Sequence, residues 1–503
     1  MSLLSYIQHQ YLKKFYGLVN TNRFHAVECQ QKTFTSLINA AKNTAFGKEH
    51  LFNSISNYED FKKHVPLKSY NDYKPYIQRI LNKEANVLCE RSPSFFAKST
   101  GTSGEPKLLP VTNDFLHSTQ MSASYMLSNL SQHLGNASFM GNKVFTLGDQ
   151  QELEKINGFL YGAISSIKMF NKPSFAKWFS FPNNEIKNVY GTNEKIKYII
   201  KKIQGSDIRM IVALPVYLSH FLQEFKHQTG HKFKEVFQDF SVVFLSGMNY
   251  EPYEILLRNH LGNDILIMEN YSASEGNFAY QFQPNVKGME LICNQGIFYE
   301  FVELENIHHQ NPERISLKDV QAEKPYSIVI TANNGLCAYI MNDIVEFVSI
   351  QPYRLIVKGR LNDIFSPFGE HMLPIQAEQA MAEVCKQTNL TLIDFLIVPD
   401  FEHSSFRYKC YAAFENAIQN FLPFSIIFHE QLILHNSYYS DLVKTGAITY
   451  PELIPVHYNF FSLLFADENK NISAQQKPKH LINDKIIIKK IEEIVLQQLL
   501  LKD

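Results

Sequence analysis

Four short runs of β-branched and other apolar residues recur between residues 143 and 276: KVFTLG (143–148), IRMIVALP (208–215), FSVVFLSG (240–247) and DILIMENYSASEG (264–276). Gly, Pro or Ser follows each run, and helical patterns such as VYLSHFLQEFKHQ and EPYEILLRNHL lie between some of them. Strands this short and this apolar leave little face for water, so both faces must be covered, and the intervening helices supply the cover. The pattern therefore predicts an α/β sheet packed between helices. Ligands in such sheets bind at the carboxyl ends of strands. Here those ends carry polar, glycine-containing loops.

The texture changes from about residue 289. GIFYEFVEL, YSIVITANNGLCAYIMNDIVEFVSI and YRLIVKGRLNDIFSPFG are successive strand signals with tight turns, which predict a β-rich subdomain. After GRLNDIFSPFGE (359–370) the chain returns to a helix, then strands, then the helical SIIFHEQLILHNSYYSDLV. We place the main domain boundary there. Residues 1–362 are expected as a large domain and residues 363–503 as a small one, with a hinge near 360–368. Near the start, Phe34, Leu37, Ile38 and Ala41 fall at helical spacing, with Gly47 expected as the stop. The tail KIIIKKIEEIVLQQLLL sets Ile487, Ile491 and Ile494 on one face of a helix expected to dock on the core.

Length and charge narrow the function classes. A chain of 503 residues suits two domains or three, and 45% hydrophobic with 19% charged residues suits a large buried core. A formal net charge of −1 gives no basic field for nucleic acid. The six cysteines, Cys29, Cys89, Cys293, Cys337, Cys385 and Cys410, show no CxxC and no pairing pattern, which argues against disulfides and zinc and for a reducing cytosol. MSLLSYIQHQYLKKFYG lacks the features of a signal peptide, and no window approaches the ~20 apolar residues a membrane span needs. The expectation is a cytoplasmic protein, export by a dedicated system aside, with no nucleic-acid or membrane partner and a monomeric state favoured.

Several segments have residues suited to chemistry. KSTGTSGEPKLLPVT (98–112) is either a solvated linker or a loop that wraps phosphate. Gly101 and Gly104 permit close backbone approach, Ser99, Thr100, Thr102 and Ser103 add hydroxyls, and Lys107 adds charge. No GxxxxGK[ST] is present. MENYSASEGNFAYQ (268–281) follows a strand, so Glu275 is placed where a Mg²⁺ ligand would stand, and Tyr271 could face a base; a surface acid and a core tyrosine are the plain alternatives. Asp343 in GLCAYIMNDIVEF follows a turn, where it could bind a ribose diol or serve only the turn. Arg360 in KGRLND stands at the hinge, and QQKPKH (475–480) is a cationic cluster.

The order of these segments resembles the adenylate-forming superfamily of acyl-CoA synthetases, luciferases and peptide-synthetase adenylation domains. Within it the chain is similar to the auxin-responsive acyl acid amido synthetases, the plant hormone-conjugating enzymes and their bacterial relatives. The likeness runs through NTAFGKEH, VPLKSYNDYKPYIQRI, STGTSGEPKLLPVT, SGMNYEPY, ENYSASEGNFAYQ, QGIFYEFVEL, YRLIVKGRLNDIFSPFGEHM, LHNSYYSDLVKTGAI and AQQKPKHLIND, in family order. It implies the adenylate-forming fold, a large α/β domain with a β-rich subdomain and a small mobile α+β C-terminal domain. It implies ATP and Mg²⁺, a carboxylic acid activated as acyl-AMP with release of pyrophosphate, and transfer of the acyl group to an amine, usually an amino acid. The implied roles are phosphate binding by Ser99, Thr100, Gly101, Thr102, Ser103, Gly104 and Lys107, adenine contact by Tyr271 and the backbone at Gly247, and further ATP or AMP contact by Ser274 and Arg360. Glu275 would ligate Mg²⁺, Asp343 would hold the ribose, Arg360 and Asp363 would stand at the hinge, and Lys477 would act in adenylation. Acyl contacts fall to Tyr125, Phe159, Tyr161 and Tyr217, between the helix after the phosphate loop and segments near 159–166 and 212–220.

The chain departs from the family pattern at CAYIMND: Ala338 and Ile340 stand where arginines are usual, and Asn342 where glycine is usual. QQKPKH also lacks the usual Lys–x–Pro–Arg register. Asn tolerates a left-handed backbone, so the turn is expected to persist. Two other readings remain: an acyl-CoA ligase with a thiol acceptor, and a nucleotide-binding protein of the same fold with weakened turnover.

Overall fold

The computed structural model describes residues 3–99, 106–141, 143–147, 153–172, 180–181, 192–401, 406–416, 420–465 and 479–500. Two compact units make up the chain. The first comprises Met1–Gly141, Asp149–Ser180 and Ile267–Leu361; the second comprises Asn142–Gly148, Phe181–Leu266 and Asn362–Asp503.

In the first unit the helix Ala26–Ala41 buries Ala26, Cys29, Gln30, Phe34 and Ile38, one stripe of a 3.6-residue period. It ends at Ala41. Gly47, expected as its stop, instead lies inside the next short helix, Ala45–Glu49, whose first turn is capped by Thr44 Oγ1 accepting the Gly47 N–H at 3.0 Å. The glycine is there for space, because a Cβ would run into the Ala41 carbonyl oxygen. The Ala26–Ala41 helix packs on the strand Ile297–Glu303. Gln30, polar in that buried stripe, donates to the carbonyls of Cys293 and Ile297 and accepts the Tyr299 N–H at 2.8 Å.

Antiparallel strands follow one another across this unit as Ile315–Ser316, Ile297–Glu303, Pro325–Ala332, Tyr339–Ile350, Tyr353–Arg360, Met289–Leu291, Gly276–Tyr280 and Leu266–Ala273. This is the β-rich subdomain expected from residue 289 onward. A separate four-stranded sheet runs in the order Lys107–Val111, Phe95–Ser99, Phe159–Gly162, Glu154–Ile156.

The second unit carries the parallel strands anticipated from the apolar runs. Lys143–Leu147 pairs in parallel with Ile208–Ala213, which pairs in parallel with Val242–Ser246. The helices Thr192–Ile203 and Pro215–Thr229 lie between them in the chain. The strands Leu392–Asp400, Arg407–Phe414 and Glu452–Pro455 form a three-stranded sheet. A core of Met381, Val384, Phe395, Ile397, Tyr408, Phe424 and Phe428 joins it to the helices Pro374–Thr388 and Leu422–His435. The terminal helix Lys485–Leu500 buries Ile491 and Ile494 and donates from Lys490 Nζ to the Leu464 carbonyl at 2.6 Å, so it docks as its pattern predicts.

All six cysteines are free thiols, five of them buried and Cys89 partly exposed. Among the described residues no helix is long and apolar enough to cross a membrane, and no cluster of three His, Cys, Asp or Glu side chains could hold a metal ion.

Candidate active site

Three strand pairs of the first unit bring the expected residues together. Tyr339–Ile350 and Tyr353–Arg360 form a hairpin around residues 351–352, with Asp343 directly opposite Arg360. The hairpin contains two bulges, and the pairing Ile350↔Tyr353 at the turn end returns as Asp343↔Arg360 at the far end, so the two shifts cancel. Arg360 Nε donates to Asp343 Oδ1 at 2.9 Å. Tyr271, on Leu266–Ala273, donates from Oη to Asp343 Oδ2 at 2.6 Å, and its ring packs on Phe278 at 4.8 Å. Asp343 is 3% exposed, so both carboxylate oxygens are spoken for by protein in the core of the sheet.

Ser274 and Glu275 form the two-residue turn between Leu266–Ala273 and Gly276–Tyr280. Gly276 follows because a Cβ there would meet Ile297 Cδ1 at 2.6 Å and the Phe278 ring at 3.0 Å. Glu275 keeps part of its surface exposed, yet burial, and then the Asp343 charge, push its carboxyl above the ordinary range; Lys107 and Arg360 oppose that shift. The carboxylate is thus partly accessible, and the Lys107 and Arg360 cations act on it.

Ser99 and Lys107 are opposed in the antiparallel pair Phe95–Ser99 and Lys107–Val111. The loop residues Thr100, Gly101, Thr102, Ser103 and Gly104 lie outside the described residues, as does Lys477. Lys107 Nζ lies 3.5 Å from Tyr339 Oη and 5.7 Å over the Tyr70 ring, and Tyr70 Oη accepts the Leu108 N–H at 2.7 Å. Tyr70 carries no sequence signal that would have singled it out.

The turn that departs from the family pattern is firmly held. Cys337 N–H donates to Tyr73 Oη at 2.7 Å, Ala338 N–H donates to Thr331 Oγ1 at 2.9 Å, and Lys68 pairs with Ala338 and Ile340 through its backbone. Asn342 adopts φ 65°, the left-handed conformation its side chain tolerates, and Ala338 adopts φ 48°. Ala338 is fully buried and Ile340 packs against the core, so the positions where arginines are usual are apolar wall here.

The remaining candidates are scattered. Phe159 and Tyr161 lie on the strand beside Phe95–Ser99, and Phe96 packs against both rings, at 5.4 and 5.6 Å. Tyr125 sits in a small cluster with Val19, Tyr280, Phe282 and Ile292, its Oη accepting from Gln295 Nε2 at 2.7 Å, and burial pushes its pKa up to about 12. Tyr217 and Gly247 belong to the second unit, Gly247 at φ 91° just past Val242–Ser246. In that unit Lys479 Nζ donates to Asp363 Oδ1 at 2.7 Å. His480, next in the chain, is buried between Glu378 Oε1 at 2.9 Å and Tyr253 Oη at 3.0 Å.

The N-terminal, central and C-terminal domains of the GH3 family match residues 20–235, 290–360 and 375–486, together well over half of the sequence. The chain belongs to the GH3 family. Among similar proteins, jasmonoyl-L-amino acid synthetase GH3.5 of Oryza sativa subsp. japonica is 20% identical over 403 residues, 64% of this chain and 68% of that protein. Indole-3-acetic acid-amido synthetase GH3.3 of Arabidopsis thaliana is 21% identical over 388 residues, 63% of this chain and 64% of that protein. The matches thus span about two thirds of these GH3 relatives' length. The solved structure of GH3.15 acyl acid amido synthetase superposes with a TM-score of 0.77 at 17% identity, covering 95% of each chain. A 2-hydroxyisobutyryl-CoA ligase structure superposes with a TM-score of 0.63 at 11% identity, covering 94% of this chain and 92% of that one. The fold is the adenylate-forming fold shared by GH3 amido synthetases and acyl-CoA ligases, as the residue order implied.

Proposed function

We propose that this GH3 chain is an ATP-dependent acyl acid amido synthetase. The observation that supports it most is the buried Tyr271–Asp343–Arg360 contact beside the half-buried Glu275, in the strands where the family's motifs fall. In the first half-reaction an oxygen of the acid attacks the α-phosphorus of ATP; the bond to the bridging oxygen breaks and pyrophosphate leaves. In the second, an amine, usually an amino acid, attacks the acyl carbonyl, loses a proton and displaces AMP.

Each residue then has a physical task. Charge builds on the departing pyrophosphate, so the amides and hydroxyls of Ser99, Thr100, Gly101, Thr102, Ser103 and Gly104, with Lys107, would meet it. Tyr271 and the backbone at Gly247 would pack the adenine, Ser274 would contact the nucleotide, and Asp343 would accept from the ribose hydroxyls. Glu275 suits Mg²⁺, a cation held by one or two carboxylates together with substrate phosphates, and no larger carboxylate cluster is present among the described residues. Bound there, Mg²⁺ would neutralise phosphate charge. Lys477 would meet the α-phosphate and acyl carboxylate, carried by residues 363–503 turning about the 360–368 hinge relative to residues 1–362. The Lys479–Asp363 ion pair and the buried His480 tie down the stretch just after Lys477. Phe159, Tyr161, Tyr125 and Tyr217 are the acyl-side candidates, and the protein is read as a cytoplasmic monomer.

Carboxylate-dependent exchange of labelled pyrophosphate into ATP tests this reading. Exchange with at least one acid of a broad panel is expected, and its absence across the panel overturns it. The second reading, an acyl-CoA ligase, is favoured by the 2-hydroxyisobutyryl-CoA ligase likeness. Product formation with coenzyme A and none with any amino acid would select it. ATP binding without any product would select the weakened form.

A further inference from the structure

Lys168 lies on the helix Ile164–Phe170, just past the strand that carries Phe159 and Tyr161. Its Nζ donates to Asn277 Oδ1 at 3.0 Å, and no carboxylate pairs with it among the described residues. Asn277 follows Glu275 by two positions on Gly276–Tyr280, and its Nδ2 donates to the Thr119 carbonyl at 3.2 Å on the helix Asn113–Leu134. The ammonium therefore stands where three elements meet: the helix after the phosphate-loop hairpin, the strand after the Glu275 turn, and its own helix.

Lys168 keeps part of its surface exposed, while desolvation lowers its pKa to about 8. A lysine on an outer face would stay hydrated, and one in the core would not be accessible. The side chain is therefore within reach of an ion from solvent while poorly hydrated itself. One of the three N–H donors goes to a neutral amide, which is poor compensation for a desolvated cation. Lys172, one turn further on, is likewise lowered by burial and donates to Ser180 Oγ at 3.0 Å.

We propose that Lys168 is a substrate-carboxylate anchor: its ammonium pairs with a carboxylate that is not the one being adenylated. The carboxylate comes either from a second acid group on the acyl substrate or from the α-carboxylate of the amino-acid acceptor. Both place an anion at the Lys168 ammonium beside Asn277, where a charge-assisted hydrogen bond is strong. The inference rests on the amido synthetase reading above.

The test compares wild type with Lys168→Met and Lys168→Arg, each first checked for an unchanged melting temperature, with Lys168→Gln replacing the Met variant if that one does not fold. In one arm, pyrophosphate exchange is measured with matched pairs: hexanoate and adipate, octanoate and suberate, benzoate and terephthalate. In the other, amide formation from the best acid is measured with glycine and glycinamide. Loss of the charge is expected to cut one ratio, dicarboxylate over monocarboxylate or glycine over glycinamide, by about ten- to hundredfold. The affected ratio identifies the source of the carboxylate, and Lys168→Arg recovers part of it. If wild type exchanges but neither ratio moves more than twofold in Lys168→Met, the anchor is overturned. If wild type exchanges with no acid at all, the amido synthetase reading fails and takes the anchor with it.

Discussion

Asp343→Asn keeps the shape of the side chain and removes its charge. In the native site both carboxylate oxygens accept from protein, Oδ2 from Tyr271 at 2.6 Å and Oδ1 from Arg360 at 2.9 Å. Each oxygen has a second lone pair, so the carboxylate can also accept from the two hydroxyls of a ribose. Asparagine offers one acceptor and one donor, so whichever way it turns, either Tyr271 or Arg360 faces an N–H. Ribose hydroxyls would lose charge-assisted bonds worth about 1.5–3 kcal/mol each and regain at most one neutral bond worth about 1 kcal/mol. A net loss of about 2–5 kcal/mol weakens ATP binding roughly 30- to 4,000-fold. Calorimetric titration with ATP and with 2′,3′-dideoxy-ATP, each with Mg²⁺, reads this out. Wild type should discriminate against the dideoxy nucleotide by a comparable factor, and in Asp343→Asn that preference should shrink to about fivefold or less. A folded Asp343→Asn protein that keeps the wild-type preference for ATP would refute the ribose role. Tyr271→Phe, which deletes only the 2.6 Å bond, guards against a folding artefact.

Glu275→Gln should abolish pyrophosphate exchange yet raise the melting temperature of the ligand-free protein at pH 7–8. The folded carboxyl titrates above its unfolded value, so stability falls as pH rises from the unfolded toward the folded pKa, and the amide removes the loss. Undiminished exchange would remove Glu275 from the metal role. Glu290, 1% exposed with Arg23 Nε 3.8 Å away, is pushed by burial up to about 7. Unfolding free energy should therefore decline between about pH 4.5 and 7, by up to roughly 3 kcal/mol from this group, and urea melts of Glu290→Gln should show the slope flattened. At the left-handed Asn342, Ala should cost about 1 kcal/mol in the same melts, while Gly should lie within about 0.5 kcal/mol of wild type.

The residues that came together were legible because their chemistry and their strand ends coincide. Tyr271, Glu275, Asp343 and Arg360 each stand near the end of an apolar run, and a hairpin closed by two residues brings Asp343 opposite Arg360 without knowledge of the rest of the fold. Asn342 was legible for the same local reason, since its backbone preference belongs to the residue itself. What escaped was set by distant contacts. Gly47 reads as a stop until the Ala41 carbonyl behind it is seen, and then it reads as a gap-filler. Lys168 looks like one more surface lysine in ISSIKMF, because only the fold brings it to Asn277, which itself bonds the helix Asn113–Leu134. Tyr70 and Tyr73 act through hydroxyls that reach Leu108 and Cys337, partners 38 and 264 residues away.

The paired bulges between Asp343 and Ile350 make that hairpin sensitive to length more than to composition. Because the shifts offset each other, deleting one residue from either strand between its turn and its functional end would slide Asp343 out of line with Arg360 and reverse the face it presents. Mutational surveys of this chain should find single-residue insertions and deletions purged from 343–350 and 353–360, while apolar exchanges at the same positions survive. Homologous sequences can then drift in side chain there, as the apolar Ala338 and Ile340 already do next door, provided they never change the count.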